Sequence, residues 1–130
     1  MDSAALAAAV GVAGPFARRL YGAEPEATAA KKGDIADQLR VAVIGVNGRG
    51  MSHVSGFAGR NNCIVTTICD ADAAVAGKAV TAAEKAQGSA PKYEQDLRRV
   101  MEDKGIDIVA IATPNHWHAL AAIWAMQAAK

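Results

Sequence analysis

Three short stretches hold residue types at spacings that could do chemistry. The first is Gly45-Val46-Asn47-Gly48-Arg49-Gly50. A glycine turn that runs into a helix presents bare backbone N–H groups and a positive helix end, which together suit the oxygens of a diphosphate. The template is G-x-G-x-x-G, and its three positions fall on Gly45, Asn47 and Gly50. Asn replaces the middle glycine, so its side chain has to point away from the phosphates. Asn tolerates positive φ better than most residues and Gly48 follows at once, which keeps the turn feasible. The second stretch is a single residue, Asp70, 25 positions after Gly45. A carboxylate there accepts hydrogen bonds from ribose hydroxyls and repels a 2′-phosphate. The third is Thr113-Pro114-Asn115-His116-Trp117-His118.

Each has a plainer reading. The glycines can make a turn that holds no nucleotide. Asp70 can be the N-cap of the helix that follows, but Asp72 is an equally good cap and leaves Asp70 free for a ligand. Its spacing exceeds the usual ~20, a difference that a loop at Gly59 to Asn62 absorbs. Arg49 either reaches a phosphate or is simply solvated. His116 and His118 suggest a metal, yet two residues apart on a helix they face different ways, and no third ligand is evident. The plainer alternatives are a partly buried helix residue for His118 and a packing residue for Trp117. Cys63 and Cys69, six apart on one strand, are separated by about 20 Å. A disulfide needs Cα atoms within about 7 Å, so they do not pair.

The elements that would position these residues alternate in type. Val41 to Ile44 is an uninterrupted apolar run, as expected of a strand buried on both faces. A short helix with Met51, Val54, Phe57 and Ala58 inward follows the glycines. Cys63 to Cys69 is a β-branched strand ending at Asp70. Ala71 to Gln87 is a helix with Ala76, Ala79, Val80 and Ala83 on its apolar face, closed by Gly88. A short strand near Lys92-Tyr93 precedes a helix from Asp96 to Lys104, with Leu97, Val100 and Met101 inward and Gly105 at its end. Ile106 to Ala112 is a further buried strand, which Pro114 stops. Asn115 is placed to cap the last helix, whose apolar positions are Ala119, Leu120, Ile123, Trp124 and Met126. Strands and helices at this cadence imply an α/β fold: a Rossmann-type, doubly wound parallel sheet of about four strands.

Composition sets the bounds. The 130 residues give one domain with a tail, 52% hydrophobic and 21% charged, as in ordinary globular α/β chains. A net charge of +1 without a basic stripe offers nothing to nucleic acid. Residues 1–37 read as a leader and linker, and 38–130 as the nucleotide-binding domain. Ala4 to Ala17 is too short to span a bilayer, which takes roughly 20 helical residues. It has the size of the apolar core of a secretory signal, but Arg18-Arg19 stands on the wrong side of it for a twin-arginine signal. The alternatives are a disordered leader and a signal whose arginine motif lies upstream of Met1. The chain as written is cytoplasmic, and that upstream motif would make it an exported one. Tyr21 to Asp37 reads as a linker or a processed region, in which Thr28-Ala29-Ala30 has the small residues of a cleavage site, a pattern common by chance.

The glycine stretch, Asp70 and the Thr113–His118 element together resemble the N-terminal domain of the Gfo/Idh/MocA oxidoreductases, over about residues 38–130. The resemblance implies binding of NAD or NADP, with NAD favoured by Asp70, and hydride transfer with a sugar or cyclitol. It implies a phosphate turn of Gly45, Gly48 and Gly50 with Asn47 and Arg49 beside them, and Asp70 on the adenosine ribose. Thr113, Pro114 and Asn115 would line the cofactor toward its nicotinamide end, with His118 on the helix behind. The family's catalytic Glu-Lys-Pro element does not occur, so Lys130 is not the catalytic lysine and no catalytic residue is assigned. The substrate domain is missing too, and the chain looks like a fragment that binds a dinucleotide weakly and turns nothing over. The full-length form would be a homo-oligomer. Two other readings stay open: a methyltransferase-like domain for S-adenosylmethionine, which the Thr113–His118 element argues against, and a non-catalytic Rossmann binding module.

Overall fold

Strand β1 (Leu39–Ile44) carries the apolar run, and Val41, Ala42, Val43 and Ile44 are all buried. The computed structural model describes residues 37–130. The expected leader, the small-residue site at Thr28-Ala29-Ala30 and all of the linker but Asp37 lie outside the described residues. After β1 come α1 (Arg49–Phe57), β2 (Cys63–Cys69), α2 (Ala73–Gln87), β3 (Lys92–Glu94), α3 (Leu97–Glu102), β4 (Ile108–Ile111) and α4 (Asn115–Gln127). The four strands form one parallel sheet in the order β3-β2-β1-β4. The helices cover it on both faces, which is why β1 is apolar without alternation.

The two faces have separate cores. On one, Val41 and Val43 meet Val54 and Ala58 at the end of α1 and Ala76, Ala79 and Ala83 of α2. On the other, Ala42 and Ile44 meet Val100 and Met101 of α3 and Ala125 of α4. Helix ends follow local chemistry. Asp72 caps α2 through Oδ1, which accepts from Ala74 N at 2.8 Å, so the helix starts at Ala73 rather than Ala71. Gly88 ends it in the left-handed conformation, φ +82°. Asp96 caps α3 through the Arg98 amide at 3.0 Å.

Three details depart from the sequence reading. The β1–β2 register shifts between Val41 and Ala42, so Thr66 bulges out of the ladder. A bulge moves the residues after it to the other face. Cys63 therefore packs in the α1–α2 core while Cys69 packs in the α3–α4 core, both buried and unbridged. Second, Asn115 does not cap α4. Pro114 occupies the cap position with φ −55°, and no side-chain cap bond forms. Proline has no N–H to lose and its φ suits a helix start, so the helix begins one residue early and Asn115 falls inside it. Third, α4 buries Ala121 and Ala125, while Leu120, Ile123 and Met126 stay exposed. Alanines let this helix lie close to β4, which is the edge of the sheet and only half-buried.

At the N-terminal end of the strands the polar groups are paired. The Arg40 guanidinium and its backbone N–H all donate to the Asp107 carboxylate, at 2.8 to 2.9 Å. Lys130 Nζ donates to the carbonyls of Asp103 (2.5 Å) and Ile106 (2.8 Å), at the foot of β4 and away from the glycine turn.

Candidate functional site

In the order β3-β2-β1-β4 the chain runs one way from β1 and then returns to the far side of it. That reversal leaves a crevice between the carboxyl ends of β1 and β4, the usual ligand position in open α/β sheets. Gly45 follows β1 and Thr113 follows β4. A Cβ on Gly45 would lie 2.8 Å from Thr113 N and 2.9 Å from Ala112 O, and its φ is +80°. Both the contact and the conformation demand glycine. A Cβ on Gly50 would lie 1.8 Å from the Gly45 carbonyl oxygen, so α1 starts pressed against the end of β1. These are the tasks of the first and third glycines in the template.

The middle position works differently from the sequence reading. Gly48, not Asn47, takes the positive φ, at +96°. Asn47 is exposed and keeps an ordinary φ, so its identity costs the turn nothing. Gly48 is also the N-cap of α1 and supplies no side-chain cap. First-turn amides of a helix have no acceptor in a preceding turn. Here Met51 N turns back to Gly48 O at 3.0 Å, which leaves the Arg49 and Gly50 amides for an anion.

Asp70 stands at the tip of β2 with both carboxylate oxygens engaged by backbone. Oδ2 accepts from Val46 N at 2.8 Å and Oδ1 from Asp72 N at 3.0 Å. The acid and the glycine turn, expected to share a ligand, are thus joined directly. An ionised carboxylate offers about four acceptor positions, so roughly two remain for hydroxyls. Thr113 is half-buried, and its Oγ1 is buried without a hydrogen-bond partner among the described residues. An unpaired buried hydroxyl at a crevice is a place for a ligand atom.

A cleft of about 870 Å³ runs along these strand ends. Of the residues expected at a ligand, Gly45, Asp70, Thr113 and Pro114 line it. Asn47, Gly48, Arg49 and Gly50 form the turn beside Gly45 without lining the cleft, and neither Asn115 nor His118 lines it. From α4 the cleft is lined by His116 and Trp117, whose ring centres lie 6.4 Å apart. Sequence reading missed Glu94, the last residue of β3, and Gln95 and Asp96 just beyond it, which also line the cleft. Their only signal was position, at the carboxyl end of a strand of three residues. Cys69 lies in the wall as well. Burial pushes its thiol up to about 12, with Glu94, Asp70 and Asp96 adding to the effect, so it stays protonated and is no nucleophile. Among the described residues, no group of three or more His, Cys, Asp or Glu is placed to hold a metal ion, and no helix is long and apolar enough to cross a membrane.

A glycine cradle that excludes a Cβ, an unpaired buried hydroxyl and a carboxylate with spare acceptor positions all fit a dinucleotide. Comparison with known proteins agrees. Residues 39–130 match the model of the oxidoreductase family with an NAD-binding Rossmann fold, Gfo/Idh/MocA. The chain belongs to the Gfo/Idh/MocA family. A glycosyl hydrolase family 109 protein of Stenotrophomonas maltophilia is 40% identical over 97 residues, which cover 70% of this chain and 21% of that protein. The alpha-N-acetylgalactosaminidase of Shewanella oneidensis is 36% identical over 96 residues, 71% of this chain and 21% of the relative. The solved myo-inositol dehydrogenase of Lactobacillus casei, in complex with NAD(H) and myo-inositol, shares the fold with a TM-score of 0.62. It is 22% identical, and the match covers 69% of this chain and 26% of that one. The chain thus spans 21% of the length of these curated relatives.

Proposed function

We propose that this domain binds NAD in preference to NADP, and that it serves a protein acting on a sugar or cyclitol. The observation that carries the proposal is the 2.8 Å bond between the Asp70 carboxylate and Val46 N, which ties the expected ribose acceptor to the expected phosphate turn. In this reading the turn amides beyond Val46, those of Asn47, Gly48, Arg49 and Gly50, hold the diphosphate with the Arg49 side chain beside them, while Val46 N stays on Asp70. Asp70 accepts from the adenosine ribose hydroxyls. Thr113 Oγ1 takes a partner from the cofactor, and Pro114, Asn115 and His118 flank its nicotinamide end. Bound nicotinamide supplies a carbon that accepts or gives up hydride. Preference for NAD follows from charge: a 2′-phosphate would meet Asp70 with Asp72 close by, while the nearby Arg98 is spent on Asp96 at 2.6 Å. The whole protein would be a homo-oligomer, with residues 38–130 as its nucleotide domain.

Substrate class is supported by the relatives' names, which point to polyhydroxylated rings in each case. The curated names also favour a second reading of the whole protein, cleavage of a glycoside, in which this domain has the same task of holding the dinucleotide. Assaying the whole protein on an α-N-acetylgalactosaminide, and on myo-inositol with NAD, separates the two. For the domain itself, the chain is titrated with NADH, NADPH and S-adenosylmethionine by calorimetry. NADH should bind roughly 10- to 100-fold tighter than NADPH, the size of a charge-assisted hydrogen-bond pair. Asp70→Arg should weaken NADH by a similar factor and reduce the preference. Unchanged NADH affinity in a folded Asp70→Arg chain, or tighter binding of S-adenosylmethionine than of NADH, would end the proposal.

A further inference from the structure

A carboxylate can serve a ligand only if the backbone beneath it holds still. The ladder between β2 and β3 stops at Cys69 and Glu94, so residues 70–72 have left the sheet just where Asp70 is needed. Two side chains take over from the ladder. Tyr93 Oη donates to the Asp70 carbonyl oxygen at 3.0 Å. Gln95 Nε2 donates to the Ala71 carbonyl oxygen at 2.9 Å. Successive carbonyls are therefore held from the same neighbouring segment, on either side of a main-chain bond from Asp70 N to Glu94 O at 3.3 Å. With Asp70 N held by Glu94 O and its carbonyl by Tyr93, the two peptide planes that flank the Asp70 Cα are fixed, and with them the direction of its Cα–Cβ bond. Gln95 holds the next peptide. The Tyr93 hydroxyl stays a donor. Burial first, then the Asp70 carboxylate and further acidic neighbours, hold its ionisation above the ordinary tyrosine range.

We propose that Tyr93 and Gln95 are positioning residues: they hold segment 70–72 so that the Asp70 carboxylate keeps its bonds to Val46 N and Asp72 N and turns its remaining acceptor positions toward the adenosine ribose. This rests on the reading of Asp70 given above, and its test is separable from that reading. Neither residue needs to touch the ribose. Gln95 lines the cleft, and Tyr93, which does not, is the cleaner probe.

The test is a double-mutant cycle on the full chain, read by NADH calorimetry. Tyr93→Phe removes one hydroxyl and should weaken NADH about fivefold in the wild-type background, the worth of one neutral hydrogen bond. In an Asp70→Ala background the same change should cost less than about twofold, because there is no carboxylate left to aim. Gln95→Ala should follow the same pattern. Equal losses in both backgrounds, as from a general loosening, or no loss in either, would overturn the proposal. If Asp70→Ala does not fold, an NAD analogue lacking both adenosine ribose hydroxyls replaces it. That analogue should bind wild type and Tyr93→Phe alike, and a fivefold difference refutes the idea. If the wild-type chain takes up no NADH at all, the proposed function fails by itself. The positioning claim is then read from amide exchange at Val46, which Tyr93→Phe should speed several-fold relative to Val43. Unchanged exchange there rejects the claim without any ligand.

Discussion

The two ends of this sheet are built on opposite rules. At the N-terminal end of the strands polar groups are paired: Arg40 with Asp107, and Lys130 with the carbonyls of Asp103 and Ile106. At the carboxyl end Thr113 Oγ1 has no partner among the described residues, α1 starts without a side-chain cap, and an 870 Å³ cleft lies open. Unpaired groups cost stability, so the contrast separates the part that keeps the sheet closed from the part kept ready for something else. Local rules fail where a site is, and hold where only folding is at stake.

Adding one methyl group at each end gives the largest expected effect and breaks the contrast most directly. Gly50→Ala puts a Cβ 1.8 Å from the Gly45 carbonyl oxygen, which is backbone and cannot step aside without moving the glycine turn. We expect a loss of about 3 kcal/mol or more in urea unfolding, with loss of NADH binding in whatever remains folded. Gly105→Ala at the other end meets the Asp103 carboxylate oxygen at 3.0 Å and the Arg40 guanidinium at 3.8 Å, both ends of side chains that can shift. That change should cost less than about 1 kcal/mol and leave binding alone. Similar losses for the two would show that the glycine turn is no tighter than the rest.

The binding variants follow in size, Asp70→Arg before Tyr93→Phe. They sharpen the contrast because each should move ligand affinity more than folding. A chain in which either variant shifts the unfolding midpoint strongly while sparing affinity would place Asp70 among the structural pairs, with Arg40 and Asp107.

How far this division was legible in the sequence depended on whether the cause was local. The strand cores, the cap at Asp72, the stop at Gly88 and the switch from β4 into the Thr113 element each follow from residues within a few positions, and were readable. The Gly45 and Gly50 roles were readable too, because one template encodes both. What escaped depended on partners distant in sequence. The Thr66 bulge exists only in register with β1, and it alone sends Cys69 to the face opposite Cys63. Tyr93 and Gln95 had no motif, since their partners are backbone carbonyls 23 and 24 positions away. At α4 the register was misread for a local reason. Proline rather than asparagine precedes the helix, so Asn115 lies inside it, and His116 and Trp117 join the cleft wall.

The smallest effect at neutral pH belongs to the paired end, and acid is what exposes it. The Arg40 guanidinium and N–H hold the Asp107 carboxyl well below the ordinary carboxylate range. At the other end, in the cleft wall, Arg98 holds the Asp96 carboxyl down to about 2, so the acid response is not confined to one end. An aspartate in the unfolded chain titrates near 3.9. Below about pH 4 the unfolded chain therefore takes up protons that the folded chain still refuses, so stability falls as the pH drops. The contribution is complete above pH 4 and fades toward the depressed folded values. Asp107→Asn removes one of these groups, so its acid unfolding curve should be shallower than wild type below pH 4. Both groups are solvent-facing and the effect should shrink in high salt. NADH affinity at pH 7 should be the same as wild type within twofold, because Asp107 stands at the end of β1 and β4 opposite the turn. A loss of affinity in Asp107→Asn as large as that in Asp70→Arg would mean the two ends are one mechanical unit, and the division between them would fall.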